Sequence, residues 1–300
     1  MNLNLLIRLM FWVICLTAQI RITHAAVYIA AHPDDIELFM GKNAALDLTA
    51  GKPTVFVLLT AGDSGCGDGP INKPKPYYRA RLDGHERAIR FWMGLAGQPV
   101  PQTINIYETV NSKNIEKHVI GNVIIYNLNL PDGNVDGLGF NVTGYQSLKK
   151  LYSGQIEKIS TVTVPSFSYS ADELQDTIRQ IVVENNLNTQ AVWLNIQDEN
   201  TNLNFNDHSD HTNTARFVLR AFTTPPFNCV KIARYLDYTI SARNVNMSDD
   251  EKLIHVGTWG ALNSGLIDGG NPNTWDVLHN NWLGKEYVRT QDSDGICNFK

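Results

Sequence analysis

Read for its hydrophobic and polar positions, the chain alternates short continuous apolar runs with longer stretches of helical spacing. Val27 to Ala31 (VYIAA) is a short apolar run with β-branched and aromatic content, which predicts a buried strand. A polar turn follows, and then Leu38 to Leu48 with helix-compatible spacing. Gly51-Lys52-Pro53 punctuates the chain before Thr54 to Thr60 (TVFVLLT), a second buried strand. Ala61 to Pro76, rich in Gly, Asp, Pro and Ser, reads as a long loop, and Tyr77 to Met93 as a helix. Further on, Val119 to Leu128 is strand-like and ends in the turn Leu130-Pro131-Asp132-Gly133-Asn134. Ser170 or Asp172 caps a helix to about Glu184, and Gln190 to Ile196 is another buried strand. His211 to Phe222 is a helix ended by Pro225-Pro226, and Val230 to Ile240 fits one more strand. Beyond Ser248 the pattern weakens.

Strands that are apolar throughout, in alternation with helices, imply a mostly parallel sheet covered on both faces. No internal repeat or low-complexity linker interrupts the chain. It therefore reads as one doubly wound, Rossmann-like α/β domain over residues 26–300, with its core at 26–240 and an irregular C-terminal extension at 241–300.

Composition narrows the function classes. With 43% hydrophobic and 18% charged residues in 300, the chain has ample material for a core. A formal net charge of -5 and the lack of any Lys/Arg run exclude a nucleic-acid footprint. Residues 1–25 read as a secretory signal: Arg8 is the early positive side chain, Leu9 to Leu16 a short apolar run, and Thr23-His24-Ala25 a cleavage site. The apolar stretch, bounded by Arg8 and by Gln19 and Arg21, is shorter than the roughly 20 residues a span requires. A secreted or periplasmic protein without a stable membrane span is expected. Cys66, Cys229 and Cys297 then remain, so at most one intrachain disulfide forms and one thiol is left over. A bridge from Cys66 would tether the Gly-rich loop.

His32-Pro33-Asp34-Asp35 follows the first predicted strand at its carboxyl end, where open parallel sheets collect ligands. An imidazole and a carboxylate three residues apart can reach one cation together, while the neighbouring carboxylate stays free to handle protons. Taken alone, the tetrapeptide is better explained by an Asp cap beside a solvated His32. His208-Ser209-Asp210-His211 changes that, because it opens a later helix with two more imidazoles at a fixed short spacing. Two His and one carboxylate leave a fourth coordination position for water, the arrangement of a hydrolytic zinc site. Other divalent ions, iron among them, fit the same donors. The cysteines are too dispersed for a Cys-based structural site.

These residues resemble the LmbE-like (PIG-L) family of zinc-dependent N-acetylglucosaminyl deacetylases. The family's A-H-P-D-D-x-E motif stands as Ala31 to Glu37 and its H-x-D-H motif as His208 to His211. Thr60-Ala61-Gly62-Asp63 and Leu130-Pro131-Asp132-Gly133 are further matches, so the resemblance runs in order from about Val27 to Phe222. It implies the LmbE-like fold and one Zn2+ held by His32, Asp35 and His211, with Asp34 as general base and His208 as electrophile or general acid. Arg81 matches an arginine that many relatives direct at substrate, although the acidic residue that often follows it is Leu82 here; an ordinary surface arginine is the other reading. Asp63 either contacts substrate or ligands, or forms the turn among its glycines. Asp210 either orients His211 or caps the helix. Asn206 stands where some relatives carry a tyrosine, so no tyrosine-assisted step is assigned.

The expected function is a secreted zinc-dependent deacetylase acting on an N-acetylglucosamine-like group of a glycan, glycolipid or glycoconjugate. The alternatives are a non-catalytic, metal-retaining glycan-binding surface protein and a zinc amidase for another acyl group. The intact Asp34 argues against the first, because binding alone requires no unligated carboxylate beside a metal. Trp259, Trp275, Trp282 and Tyr287 read first as core residues, given the area large aromatics bury, and otherwise as platforms for sugar rings.

Overall fold

The structure, a computed structural model, describes residues 25–66, 73–187, 191–223, 227 and 229–292. Apart from Ala25, the expected signal segment lies outside the described residues, as do Pro225-Pro226 and Cys297.

Strand β1 (Ala26–Ala30) leads into helices α1 (Asp35–Phe39) and α2 (Gly41–Thr49), then β2 (Thr54–Thr60) and α3 (Tyr77–Leu95). The one helix expected over Leu38 to Leu48 is two, because Met40 leaves helical geometry at φ −127°. Next come β3 (Ile104–Val110), β4 (Lys113–Ile120) and β5 (Val123–Leu130). The expected strand from Val119 to Leu128 therefore straddles a reversal, with Gly121 at φ +61° turning the chain between β4 and β5. Strand β3 carries no buried apolar pattern to read, since most of its residues are exposed. The chain continues through α4 (Leu148–Tyr152), the short hairpin of β6 (Ile159–Ser160) and β7 (Ser168–Tyr169), and α5 (Ala171–Glu184), which starts at a reciprocal Ser170–Glu173 cap. Strand β8 (Ala191–Gln197), α6 (Ser209–Ala221), β9 (Cys229–Tyr235), α7 (Asp249–Asp268), α8 (Val277–Asn280) and β10 (Val288–Asp292) complete it.

The main sheet has the order β10-β9-β8-β1-β2-β5-β4-β3. Strands β9, β8, β1, β2 and β5 are parallel, whereas β10 and the β4–β3 hairpin add antiparallel edges. Alternate residues of the central strands feed opposite layers. Val27, Ile29, Val55 and Val57 pack towards α5 and α6, whereas Tyr28, Phe56 and Leu58 pack towards α1, α2, α3 and α7. Burial on both faces is why these strands read as unbroken apolar runs. The chain winds from β1 out through β2 to β5, then crosses back to β8 on the other side of β1. The carboxyl ends of β1 and β8 thus border the crevice where the winding reverses, the position at which such sheets bind ligands.

The stretch expected to be irregular begins with a 20-residue helix, α7, started by a reciprocal Ser248–Glu251 cap. Its buried residues, Trp259, Leu262 and Leu266 among them, share a cluster with Ala80, Leu82 and Trp92 of α3. The two backbones touch at a glycine pair: a Cβ on Gly265 would lie 2.5 Å from the Gly84 amide nitrogen. Three glycines in α7 (Gly257, Gly260, Gly265) and the lack of a single apolar stripe hide the helix from periodicity. The Ser248-Asp249-Asp250-Glu251 signature was its legible sign. Cys229 is disulfide-bonded and Cys66 is a free, exposed thiol, so the tether from Cys66 is not made. Among the described residues no helix is long and apolar enough to cross a membrane.

Candidate metal centre

The turn after β1 is built to hold a carboxylate still. Asp35 Oδ2 accepts hydrogen bonds from the His32 amide at 2.7 Å and from Gln197 Nε2, at the end of β8, at 3.1 Å. Gln197 Oε1 in turn accepts from the Ala31 amide at 3.0 Å, which ties the ends of β1 and β8 together. His211, in the first turn of α6, reaches the same point from the far side of the crevice.

Three donor atoms converge there. His32 Nδ1 lies 3.4 Å from Asp35 Oδ1 and 3.3 Å from His211 Nε2, and His211 Nε2 lies 3.1 Å from Asp35 Oδ1. Ligands at about 2.0–2.2 Å from a tetrahedral zinc stand roughly 3.3 Å apart, so the spacing fits one such ion. All three side chains are buried. The opposite ring nitrogens also face carboxylates. His32 Nε2 faces Asp210 Oδ2 at 3.4 Å and Asp132 Oδ2 at 4.0 Å, and His211 Nδ1 bonds Asp207 Oδ1 at 2.9 Å with Asp237 Oδ2 at 3.7 Å. A carboxylate behind each imidazole fixes its tautomer and raises its basicity towards a metal. Burial pushes the His32 pKa down, but the charges and hydrogen bonds of Asp35 and Asp210, with Asp132 behind them, outweigh it and carry it up to about 10. The field that draws a proton onto His32 draws a cation to the same place.

Asp34 does not join the triad's core, although one of its oxygens lies within 4.8 Å of donor atoms of His32 and Asp35. Its Oδ1 is paired with Arg81 Nη2, and Arg81 Nη1 donates to the Gly62 carbonyl at 2.6 Å. Arg81 is thus a buried partner of Asp34 and not a surface arginine, and Gly62 at φ +59° leaves the room for its guanidinium.

His208 caps α6, its Nδ1 accepting the Asp210 amide at 3.2 Å while Nε2 points 3.6 Å from Asp132 Oδ1. Burial, and then the charge on His32, push its pKa down to about 4, so the ring is neutral with its proton on the nitrogen facing the pocket. Asp63 stands behind the wall: it is fully buried and its Oδ1 accepts the Asp132 amide at 2.9 Å. Asp210 stands against His32, not His211, and its Oδ2 also accepts the Gly133 amide at 2.7 Å.

Sequence reasoning missed four residues here. Asp132 sits in the matched Leu130-Pro131-Asp132-Gly133 motif without having been given a task. Asp207 precedes the H-x-D-H motif and lies one helical turn before His211, a spacing that could have flagged it. Asp237 and Gln197 had no local signal, because only the sheet brings β9 and β8 to β1. Asn204 ties Asp207 to Asp237, donating from Nδ2 at 2.8 Å and 3.0 Å. Above the cluster opens a pocket of about 250 Å³, lined also by Tyr77, Tyr238, His279 and Trp282. Of the four C-terminal aromatics singled out, Trp282 forms this wall, stacked on Tyr238 with ring centroids 4.8 Å apart.

A doubly wound sheet that sets two imidazoles and a carboxylate at its switch point, beside an unligated carboxylate, defines a protein of the α/β class with a site equipped to hold a metal ion. The chain belongs to the PIG-L (LmbE-like) family: the family model, described as GlcNAc-PI de-N-acetylase, matches residues 27–222. It is therefore a hydrolase of N-acetyl amides, in a family that is metal-dependent. No curated protein matches the chain at a significant level. Similar solved structures include the N,N'-diacetylchitobiose deacetylase of Pyrococcus horikoshii in complex with an inhibitor, 15% identical over 88% of this chain and 79% of that one, with a TM-score of 0.41. Teicoplanin deacetylase Orf2 in a zinc-inhibited form is 13% identical over 81% of this chain and 84% of that one, with a TM-score of 0.42. A conserved protein of Thermus thermophilus is 16% identical over 81% and 78%, with a TM-score of 0.37.

Proposed function

We propose that this de-N-acetylase is zinc-dependent and hydrolyses the N-acetyl amide of an N-acetylglucosamine-like group in an extracytoplasmic glycan, glycolipid or glycoconjugate. The observation that carries the reading is the triad of His32 Nδ1, Asp35 Oδ1 and His211 Nε2, mutually 3.1–3.4 Å apart at the floor of a pocket that Asp34 and His208 also line. A bound Zn2+ supplies Lewis acidity towards the amide carbonyl and acidifies water in the pocket. Asp34, with Oδ1 fixed by Arg81, keeps Oδ2 free to take the proton of the attacking water and relay it to the departing amine. His208, its ring held from behind by the Asp210 amide at Nδ1, offers its Nε2 proton to the developing oxyanion. Arg81 acts on substrate chiefly through Asp34, and Asp63 through Asp132, so both are positioning residues. Export through residues 1–25 is supported by the signal pattern and by the disulfide at Cys229, a bond of oxidising compartments.

Metal analysis of the purified chain, with acetate release measured on a panel of N-acetylated glycans with and without chelator, tests the reading. Chelator-sensitive release is expected. Bound zinc without release from any member would instead favour a glycan-binding protein. Asp34→Asn should retain the metal and lose about two to four orders of magnitude in turnover; a fully active variant sinks its assignment as base.

A further inference from the structure

A second cavity, of about 500 Å³ against about 250 Å³ for the candidate active site, opens on the other side of the start of α3. The two are neighbours along the chain. Tyr77 and Arg81 line the active-site pocket while Tyr78 and Arg79 line the cavity, and β5 sends Leu128 and Asn129 to the cavity while the turn after it sends Asp132 to the pocket. The first turn of α3 is a partition between them.

The lining is chemically selective. Its charges cancel: Glu116 accepts from Arg79 Nη1 at 2.5 Å and 2.6 Å, and further from His118 Nε2 at 2.9 Å and Asn129 Nδ2 at 2.9 Å. His118 is held in turn by Glu86, so two cations meet two carboxylates. With the carboxylate and guanidinium engaged, neither a phosphate nor an ammonium finds an unpaired opposite charge here. The rest of the lining is neutral: amides of Asn114, Asn127 and Asn129, hydroxyls of Thr161 and Thr163, and aromatic rings. Asn127 is 4% exposed and its Nδ2 makes no hydrogen bond within the protein. A buried amide left in that state is destabilising unless a ligand or water completes it. Tyr107 stands at the rim with 69% of its surface exposed, a ring face available for stacking. Planar amides, hydroxyls and an exposed ring around a charge-neutral hollow are the complement of a pyranose, which offers alternating hydroxyl edges and an apolar face.

We propose that this cavity is a second sugar subsite, which holds a neutral sugar unit of the same glycan whose N-acetyl group enters the metal pocket. The proposal rests on the deacetylase reading for what occupies the neighbouring pocket, and it makes the preferred substrate an oligosaccharide or glycoconjugate of at least two sugar units.

The test is calorimetric binding of β-linked N-acetylglucosamine oligomers of one to three units to the metal-loaded Asp34→Asn protein, in which slow turnover leaves binding readable. The three-unit oligomer should bind about tenfold or more tightly than the single unit. Asn127→Leu, which removes the amide while keeping the branched shape, and Tyr107→Ala, at an exposed position, should each shrink that ratio about fivefold to tenfold. A ratio near one in the parent protein, or a ratio unmoved by both changes, overturns the subsite. Length-dependent binding that both changes weaken, combined with no acetate release from the parent chain, would leave the subsite standing and sink the deacetylase reading instead.

Discussion

How His211 meets a cation depends on residues that never touch the cation. Asp207 Oδ1 takes the Nδ1 proton at 2.9 Å and Asn204 braces Asp207 against Asp237. Burial, followed by the nearby charge of Asp207, keeps the Asp237 carboxyl well above the ordinary carboxylate range. Asp207→Ala should therefore weaken metal affinity about 10–100-fold with the ligands themselves intact. Metal titration against a competing chelator would measure it, and an unchanged affinity would show that Asp207 only caps or packs. At this scale the sequence was half legible. His32, Asp34, Asp35, His208 and His211 lie in two compact motifs, and their spacing alone proposes shared chemistry. The carboxylates behind them come from loops after β5, β8 and β9, whose meeting is a property of the sheet. Asp210 shows the limit well: adjacency to His211 in the chain suggested the wrong imidazole, because in a helix neighbours point apart and the residue reaches His32 instead.

Among elements, the crossing of α3 and α7 deserves a direct perturbation. Gly84 and Gly265 are mid-helix glycines, each of which costs about 0.5–1 kcal/mol relative to alanine in an open helix. Here the backbone approach reverses the preference, since a Cβ on Gly265 would sit 2.5 Å from the Gly84 nitrogen and 2.6 Å from its Cα. Gly265→Ala should cost roughly 1–3 kcal/mol in urea or thermal unfolding; a stabilised variant would mean the helices part readily. The start of α2 supplies a pH experiment. Glu286 Oε2 accepts the Lys42 and Asn43 amides at 2.9 Å and 3.3 Å, yet burial carries its pKa up from 4.5 to about 8. A carboxyl raised in the folded state contributes stability that is whole below its unfolded pKa and declines as pH rises to about 8. Glu286→Gln removes that decline, so the variant should gain on the parent in melting temperature near pH 8 and above; a loss there would mean that the ionised carboxylate favours the helix start. Strands β1, β2 and β8 were readable because burial on both faces leaves no ambiguity in an apolar run. Helix α7 and strand β3 were not, for opposite reasons: one is covered on several sides, and the other is exposed on nearly all of its residues.

For the molecule as a whole, the metal couples the halves of the sheet. His32 and Asp35 follow β1 in the first part of the chain, while His211 opens α6 after β8, so an ion at the triad links segments 176 residues apart (211 − 35). At a free concentration about a hundred times its dissociation constant, such an ion adds roughly 2.7 kcal/mol, which corresponds to about 4–5 °C in melting temperature for a domain of this size. The carboxylates that carry His32 up to about 10 mean that the metal displaces a proton there, so the gap between metal-loaded and chelated protein should widen as pH rises from about 6 to about 8. A gap that stays flat would place the ion away from His32. The doubly wound architecture itself was legible from the alternation of apolar strands and amphipathic helices, whereas the antiparallel edges were not, since nothing local in β4 or β10 announces the direction of a neighbour.

Cys66 is the free thiol that the chain presents at its surface among the described residues, and it lies two residues from Ser64, which lines the active-site pocket. With Cys229 already bridged, a maleimide dye would attach at Cys66 without any engineered mutation. The protein thus carries a built-in anchorage for an optical reporter of glycan entry, readable in real time and independent of acetate release.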